Sequence, residues 1–531
     1  MAKDAATARS LNPVLLTGMT LAMIAGVTLS PTLAASGPSA LTIIAICAVI
    51  MLIPTSLVAA ELGTGWPHDG GVYLWVRSAF GPRLGFVAIW LQWLDQMIFL
   101  PTSLAFVAAT AAYIGGDTAL ANNRFYLVAV IVAIIWIATL VNMLGLRESG
   151  RFGTVGIVIA TIIPSLIIIG LAVAFVSSDG STEVSFAVSN WIPTGSQLTF
   201  FVTGINAYVA IEVTAAFVRR IKNPSKDYPR ALLGAGLIDF VLLFFVTFAI
   251  MIAVPKSQLS AVSGFMETYD YLLGDFGLSK LLPIIAAMIA LGWVGRVTNI
   301  FIGPATSLLT SARFGHLPEF LTVENSRSAP RNLLLVQAVI ATVAAAPFAF
   351  LPDPSTAFVM LATLAVSLYL VMYLLMFAAA IKLRYSHPGI KRPFRVPGGK
   401  AGMWIVAGVG FGASIFALAV GLKRPDDLSV ESVLWGAVVG GGLILGVVLG
   451  FAIDRGVKKP PETDVDHARR VTDADGEVFL DDTADQPMLD DPMHRVERHK
   501  HKPASDPQAM PTRKADPKSR STDASDRDKR S

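Results

Sequence analysis

A chain of 531 residues in which 53% are hydrophobic and only 15% charged, with a mean hydropathy of +0.60, is too apolar for a soluble protein of this length. A single cysteine, Cys47, excludes intrachain disulfides and thiolate metal clusters. The net charge of +4 is segregated along the chain instead of forming one basic surface, which argues against nucleic acid as a partner and leaves the lipid bilayer.

The first residues, 1 to 13, are polar and lead into an apolar run with no small-residue cleavage site at a suitable distance, so the first span is expected to be retained. A bilayer core needs about 20 apolar residues as helix. That criterion predicts twelve spans, at 14 to 35, 39 to 62, 84 to 114, 125 to 145, 152 to 176, 197 to 218, 231 to 254, 280 to 312, 332 to 351, 356 to 381, 402 to 422 and 432 to 453. Lipid tolerates only helices or closed barrels, and these continuous runs lack the alternation of barrel strands. The expected fold is therefore an all-α multispanning membrane protein. One set of connections is rich in Lys and Arg, among them Arg77, Arg83, Arg147, Arg219, Arg220, Arg313, Lys382 and Arg392; the other carries only Arg124, Lys256, Lys280, Lys423 and Arg424. That asymmetry places both termini in the cytoplasm.

Two of the predicted spans look interrupted. The first reads TGMTLAMIAGVTLSP from Thr17 to Pro31, with Gly18, Gly26, Thr28, Ser30 and Pro31 close together; the sixth reads FFVTGINAYVAIEV from Phe200 to Val213, with Gly204, Asn206 and a glutamate at membrane depth, Glu212. Unwound backbone offers unpaired N–H and C=O groups to a ligand, and two such breaks five spans apart are what an inverted repeat of five plus five helices would bring to a shared midplane site. The plainer reading is that glycine and small residues permit close helix packing. Beyond Asp454 the composition changes to Pro, Asp, Ser, Lys and Arg with an acidic block, Asp464 to Asp491, and a basic one, His494 to Arg530. Residues 455 to 531 are expected to be a disordered cytoplasmic tail, because they cannot bury enough apolar area to offset chain entropy.

Several motifs carry a resemblance. PHDGGVYLWVRSAFGP from Pro67 to Pro82 is similar to P-x-x-G-G-x-Y-x-W-V-x-x-A-F-G, and NPSKDYPRA from Asn223 to Ala231 to N-P-x-x-D-Y-P-x-A. IGPATSLLTSARFGHLP from Ile302 to Pro318 is similar to G-P-S-x-x-x-x-x-A-x-x-G-x-L-P, and RPFRVPGGKAG from Arg392 to Gly402 to R-P-F-x-x-P-G-G-K-x-G. These elements belong to the amino acid, polyamine and organocation (APC) superfamily, and the chain resembles most the branch that contains the glutamate:GABA antiporters. The resemblance implies a first five-helix repeat over 14 to 176, a second over 197 to 381, and two additional helices over 402 to 453. It also implies alternating-access transport of an amino acid or its decarboxylation product in the inner membrane of a bacterial-type cell. The substrate's carboxylate would sit on backbone N–H groups at the first break, where the superfamily's G-S-G-x-F is replaced by Ile24, Ala25, Gly26, Val27 and Thr28. In the sixth span Glu212 matches the family's glutamate, the glycine two residues earlier is Ala210, and an acidic residue before the N-P element is Arg220.

Ionisable residues at membrane depth usually face the protein interior or a water-filled path. Glu212 and Asp95, the latter beside Trp90 and Trp93, are the proton-coupling candidates; Glu212 would otherwise pair with a substrate ammonium or with a structural cation. Glu61 and Asp239 are expected at the membrane interface in contact with loop cations. Arg296, inside the eighth span, presents five fixed donors and could hold a carboxylate bidentately or neutralise Glu212 or Asp95. The antiporter branch commonly carries glutamate there, so an Arg296 facing the pocket would favour an acidic or polar substrate side chain. Tyr369 and Tyr373 are four apart, hence on one helix face, and match the aromatic pair of the branch's pocket wall. Trp293, Gly204, Asn206 and Tyr208 complete the substrate-binding set.

Four of the seven histidines, His467, His494, His499 and His501, are in the tail, which suggests a pH-responsive plug, against the alternative of an inert solvated segment. No protease, hydrolase or nucleotide-binding motif is present, so no enzyme activity, cofactor or metal is expected. The expected partners are an amino acid substrate, protons and lipid. A sensor or scaffold on a transporter fold, or a carrier of organic cations or polyamines, is the alternative.

Overall fold

A computed structural model describes residues 13–24, 26–67, 70–143, 156–178, 184–185, 187–221, 223–312, 315–323, 325, 329–351, 353–426, 428, 430–456, 470–472 and 478–480. Side chains are described throughout these stretches except at 216, 217, 219, 220, 257, 294–307, 310 and in the last two. Among the described residues eleven helices are long and apolar enough to cross a membrane: Pro13–Ala34, Ser39–Gly65, Pro82–Ile114, Arg124–Met143, Val158–Ser177, Val188–Ala215, Pro224–Ala253, Arg331–Phe350, Pro354–Ser386, Gly399–Gly421 and Ser432–Arg455. A further 31-residue helix, Leu282–Ala312, lies between the seventh and the ninth in chain order. They are called the first to twelfth spans below. The fold is the all-helical, multispanning one expected from the apolar runs. Outside the spans, an antiparallel pair of three-residue strands joins Arg470–Thr472 to Val478–Leu480; the rest of the expected tail, with its histidines, falls outside the described residues.

Helix starts follow local chemistry. Proline occupies the first turn at Pro82, Pro224 and Pro354, where its missing N–H costs nothing. Before Pro354, the Asp353 carboxylate accepts from the N–H groups of Ser355 and Thr356 at 3.0 and 3.1 Å, capping the tenth span. Gly81 turns the chain into the third span at φ +94°, a conformation closed to most side chains. Pro224 also makes the seventh span begin seven residues before the apolar run that predicts it at 231. Asp239 sits midway along this helix and is 2% exposed.

The third and tenth spans, each 33 residues, form the centre of the bundle: 78% of the third span's most apolar window is buried against protein, compared with 17% for the twelfth. The third span carries Pro101 in its interior and the seventh carries Pro229 within its first turns. The first and sixth spans are each broken. The first is helical over Pro13–Met23, loses its helical ladder at Ile24, and resumes as a tight turn, Gly26–Leu29, and a short helix, Ser30–Ala34. The sixth is helical over Leu198–Asn206, turns through 207–210, and continues as a 3₁₀ segment, Ile211–Arg220. Both breaks fall near mid-span, where backbone can be left unpaired only if protein or a ligand satisfies it.

Candidate transport site

The break in the sixth span aims Glu212 at the third and tenth spans. Ala210 adopts φ +72°, the only positive φ at a non-glycine among the described residues, and this left-handed turn redirects the chain. Where the family has glycine, alanine bears the conformation at a cost of about 1–2 kcal/mol. The Tyr373 hydroxyl accepts a hydrogen bond from the Ala210 N–H at 3.1 Å, holding the turn. The same hydroxyl donates to one oxygen of Glu212 at 2.7 Å, and Tyr369 donates to the other at 2.5 Å. Gln92, from the third span, donates its amide to that second oxygen at 2.9 Å and to the Tyr369 hydroxyl at 3.0 Å. Glu212 is 1% exposed. Its described partners are two phenols, an amide and its own backbone N–H, all of them neutral.

The tyrosines meet one carboxylate because a four-residue spacing puts them one above the other, their rings edge to face at 5.1 Å. Thr20 in the first span and Thr214 in the sixth share a hydrogen bond of 3.1 Å beside the two breaks. Gln92 is the member of the cluster that neither charge nor a helix break marks in the sequence. Gln92 had one available signal, an amide inside an apolar span three residues before Asp95. Asp95 itself is buried and accepts from Gln96 at 2.8 Å, within electrostatic range of Glu212 but without a hydrogen bond to it.

The remaining predicted residues distribute around this cluster. Ile24, Val27 and Thr28 line a small pocket on the face of the first break toward the fifth and seventh spans; Ala25 lies outside the described residues. Gly26 contacts Asp239: a Cβ on Gly26 would meet the two carboxylate oxygens at 2.5 and 2.7 Å. Gly204 packs on Cys47 and Ile43 of the second span, where a Cβ would meet the sulfur at 2.9 Å, so here the glycine serves close helix approach. Tyr208 is fully buried and its hydroxyl donates to the Ile44 carbonyl at 3.3 Å. Trp293 is buried and packs against Phe106 with ring centroids 5.4 Å apart. Arg296 is in the eighth span, but its side chain lies outside the described residues.

A crevice of about 440 Å³ opens at the end of the bundle that carries Lys423, lined by Thr32, Thr199, Thr203, Thr363 and Trp435 among others. An adjoining one of about 270 Å³ shares Thr32, Thr203 and Thr363 and reaches Leu29 and Asn206 at the breaks. At the opposite, basic end the described contacts tie the second span to the tenth and to the loop that follows it. There Glu61 of the second span receives a two-pronged pair from Arg384 at 2.6 and 2.5 Å, an N–H from Val396 at 2.7 Å, and the Arg392 guanidinium at 3.4 Å. Arg392 also donates to the carbonyls of Leu383 and His387 and lies over the Trp66 ring at 5.2 Å. Burial pulls its guanidinium down from the ordinary value, while Glu61 opposes that shift. The R-P-F loop is thus folded onto the second span by arginine, and Glu61 does contact a loop cation.

Paired broken helices around a buried, hydrogen-bonded carboxylate form the architecture of secondary transporters. Comparison with known proteins is more specific: the family model described as amino acid permease matches residues 11–444. The chain belongs to that family, within the APC superfamily. It is 37% identical over 406 residues to an uncharacterized transporter of Legionella pneumophila, covering 76% of this chain and 87% of that protein. A glutamate/gamma-aminobutyrate antiporter of Lactococcus lactis is 30% identical over 419 residues, 77% of this chain and 83% of the relative. A probable agmatine/putrescine antiporter of the same species is 26% identical over 353 residues, 66% and 74% respectively.

Proposed function

We propose that this membrane protein is a secondary active amino acid carrier that takes glutamate, GABA or a related compound by alternating access, with Glu212 at the centre of its site. The observation that carries this reading is the set of neutral donors around Glu212, drawn from the third and tenth spans at the level of the sixth-span break. A carboxylate held by phenols and an amide can exchange one of them for a substrate ammonium, or accept a proton, without breaking an ion pair. Substrate would enter through the threonine-lined crevice and stack against Tyr369 and Tyr373, its carboxylate meeting backbone N–H groups of the first break. Transfer to the other side requires the basic end to open, and the Glu61, Arg384 and Arg392 contacts are the lock that must part. The basic end is read as cytoplasmic, with both termini on that side of a bacterial-type inner membrane, and the first five and second five spans as inverted repeats.

A diamine or polyamine is the second reading, favoured by the agmatine/putrescine relative and by the absence of a charged partner for Glu212 among the described residues. Competition of unlabelled glutamate, aspartate, GABA, arginine and putrescine against labelled GABA in proteoliposomes separates them. Competition by glutamate and not putrescine supports the first; the reverse supports the second, and no saturable uptake of any of these overturns both.

A further inference from the structure

Asp239 is a further buried carboxylate within a span, apart from the Glu212 cluster and on the face of the first-span break that Ile24, Val27 and Thr28 line. It occupies the middle of the seventh span, and both of its oxygens lie against Gly26, at the start of the tight turn where the first span resumes. The pocket it faces, of about 230 Å³, is walled by Leu21, Ile24, Val27, Ile157 and Leu242, with Thr28 and Thr161 as its other polar side chains. Two of its walls, Leu21 and Ile157, belong to a small apolar cluster with Ala22 and Ala235, while Ile24, Val27 and Leu242 are part of the main core. A carboxylate in such a pocket is costly when charged and is tolerated where its protonation does work.

We propose that Asp239 is a proton-binding site that controls the break in the first span from behind. Ionised, the carboxylate can only accept hydrogen bonds, so it favours a position of the Gly26 turn that offers it N–H groups. Protonated, it can donate, and a turn position that presents a carbonyl becomes accessible. The two states therefore stabilise different placements of the segment that lines the substrate side of the bundle, and by linkage substrate and proton bind with mutual dependence. Glycine at 26 is required for this contact, since any Cβ would occupy the space of the carboxylate.

Among the described residues, Tyr208 of the sixth span lies within electrostatic range of Asp239, and Cys47 of the second within range of Tyr208. The sixth span also carries Glu212, engaged by its tyrosines, and the second carries Glu61, engaged by arginines at the basic end. Tyr269, on the helix Gly264–Asp275 near the opposite end, donates to the Pro164 carbonyl. On the seventh span itself Lys226, Asp227 and Arg230 are more than two turns away, and the polar side chains that the described residues of the first and fifth spans present to the pocket are Thr28 and Thr161.

The test uses the full-length protein in proteoliposomes, with exchange measured from about pH 5 to about pH 7.5. Wild type is expected to change its rate by about fivefold or more across that range. Asp239→Asn is expected to keep the wild type's acid-side rate throughout. A wild-type rate that does not respond to pH, an Asp239→Asn profile that still follows wild type, or a dependence on sodium in place of pH overturns the proposal. Infrared difference spectra between the two pH values supply a readout without substrate: a buried carboxyl band in wild type, absent in Asp239→Asn and displaced in Asp239→Glu. Should the asparagine variant fail to reach the membrane, Asp239→Glu must shift the pH midpoint of both readouts, and an unchanged midpoint counts against the site. Only the exchange readout rests on the transporter reading, so a protein that titrates at Asp239 without transporting would fault that reading alone.

Discussion

Glu61 and Glu212 are both glutamates within spans, both 1% exposed, and they are held in opposite ways. Glu61 is fixed by two arginines and a backbone N–H, Glu212 by two phenols and an amide. A buried carboxylate paired with arginine is committed, because losing either partner strands a charge. A buried carboxylate among neutral donors can take or release a cationic partner at modest cost. The first arrangement suits a closure and the second suits a site, and the spacing along the bundle agrees: Glu61 is at the basic end, Glu212 beside the breaks.

The comparison can be broken first at Glu61. Arg384→Ala leaves the carboxylate with its main partner removed and is expected to destabilise the protein by about 3–5 kcal/mol, read as a fall in apparent melting temperature in detergent. Combining it with Glu61→Gln should restore a large part of that loss; equal instability of single and double variants would show that the pair is not the lock. Tyr373→Phe removes the hydroxyl shared by Glu212 and the Ala210 N–H, so a loss of about 10- to 100-fold in exchange is expected from one charged hydrogen bond and one backbone bond. Tyr369→Phe, whose partner oxygen keeps Gln92, should lose less, about fivefold. The reverse order would mean that the Ala210 turn does not depend on Tyr373. The smallest effect is at the turn itself. Ala210→Gly relieves a left-handed alanine and should stabilise the protein by about 1 kcal/mol or less after glycine's own entropy is counted, read as a small rise in apparent melting temperature.

Much of this arrangement was legible in the chain because the bilayer imposes it. Spans announce themselves by length and apolarity, and the two breaks by glycine, proline and small polar residues clustered where helix should continue. The Tyr369 and Tyr373 pair follows from a spacing of four. Gln92 was not legible, since a neutral amide leaves hydropathy almost unchanged and gains meaning only from the carboxylate opposite it. The start of the seventh span was not legible for a physical reason: the polar stretch from Lys226 to Arg230 reads as loop, yet Pro224 starts a helix there that projects beyond the apolar run.

The central claim is that Glu212 is a site and not a structural counter-ion, and Glu212→Gln tests it most directly, with counterflow and melting temperature measured on the same preparation. The substitution keeps size and hydrogen-bonding capacity beside the tyrosines while removing the charge. Exchange lowered by about 100-fold or more, with a melting temperature close to wild type, is the predicted result. Exchange near the wild-type rate, or a collapse of stability like that of Arg384→Ala, would contradict it.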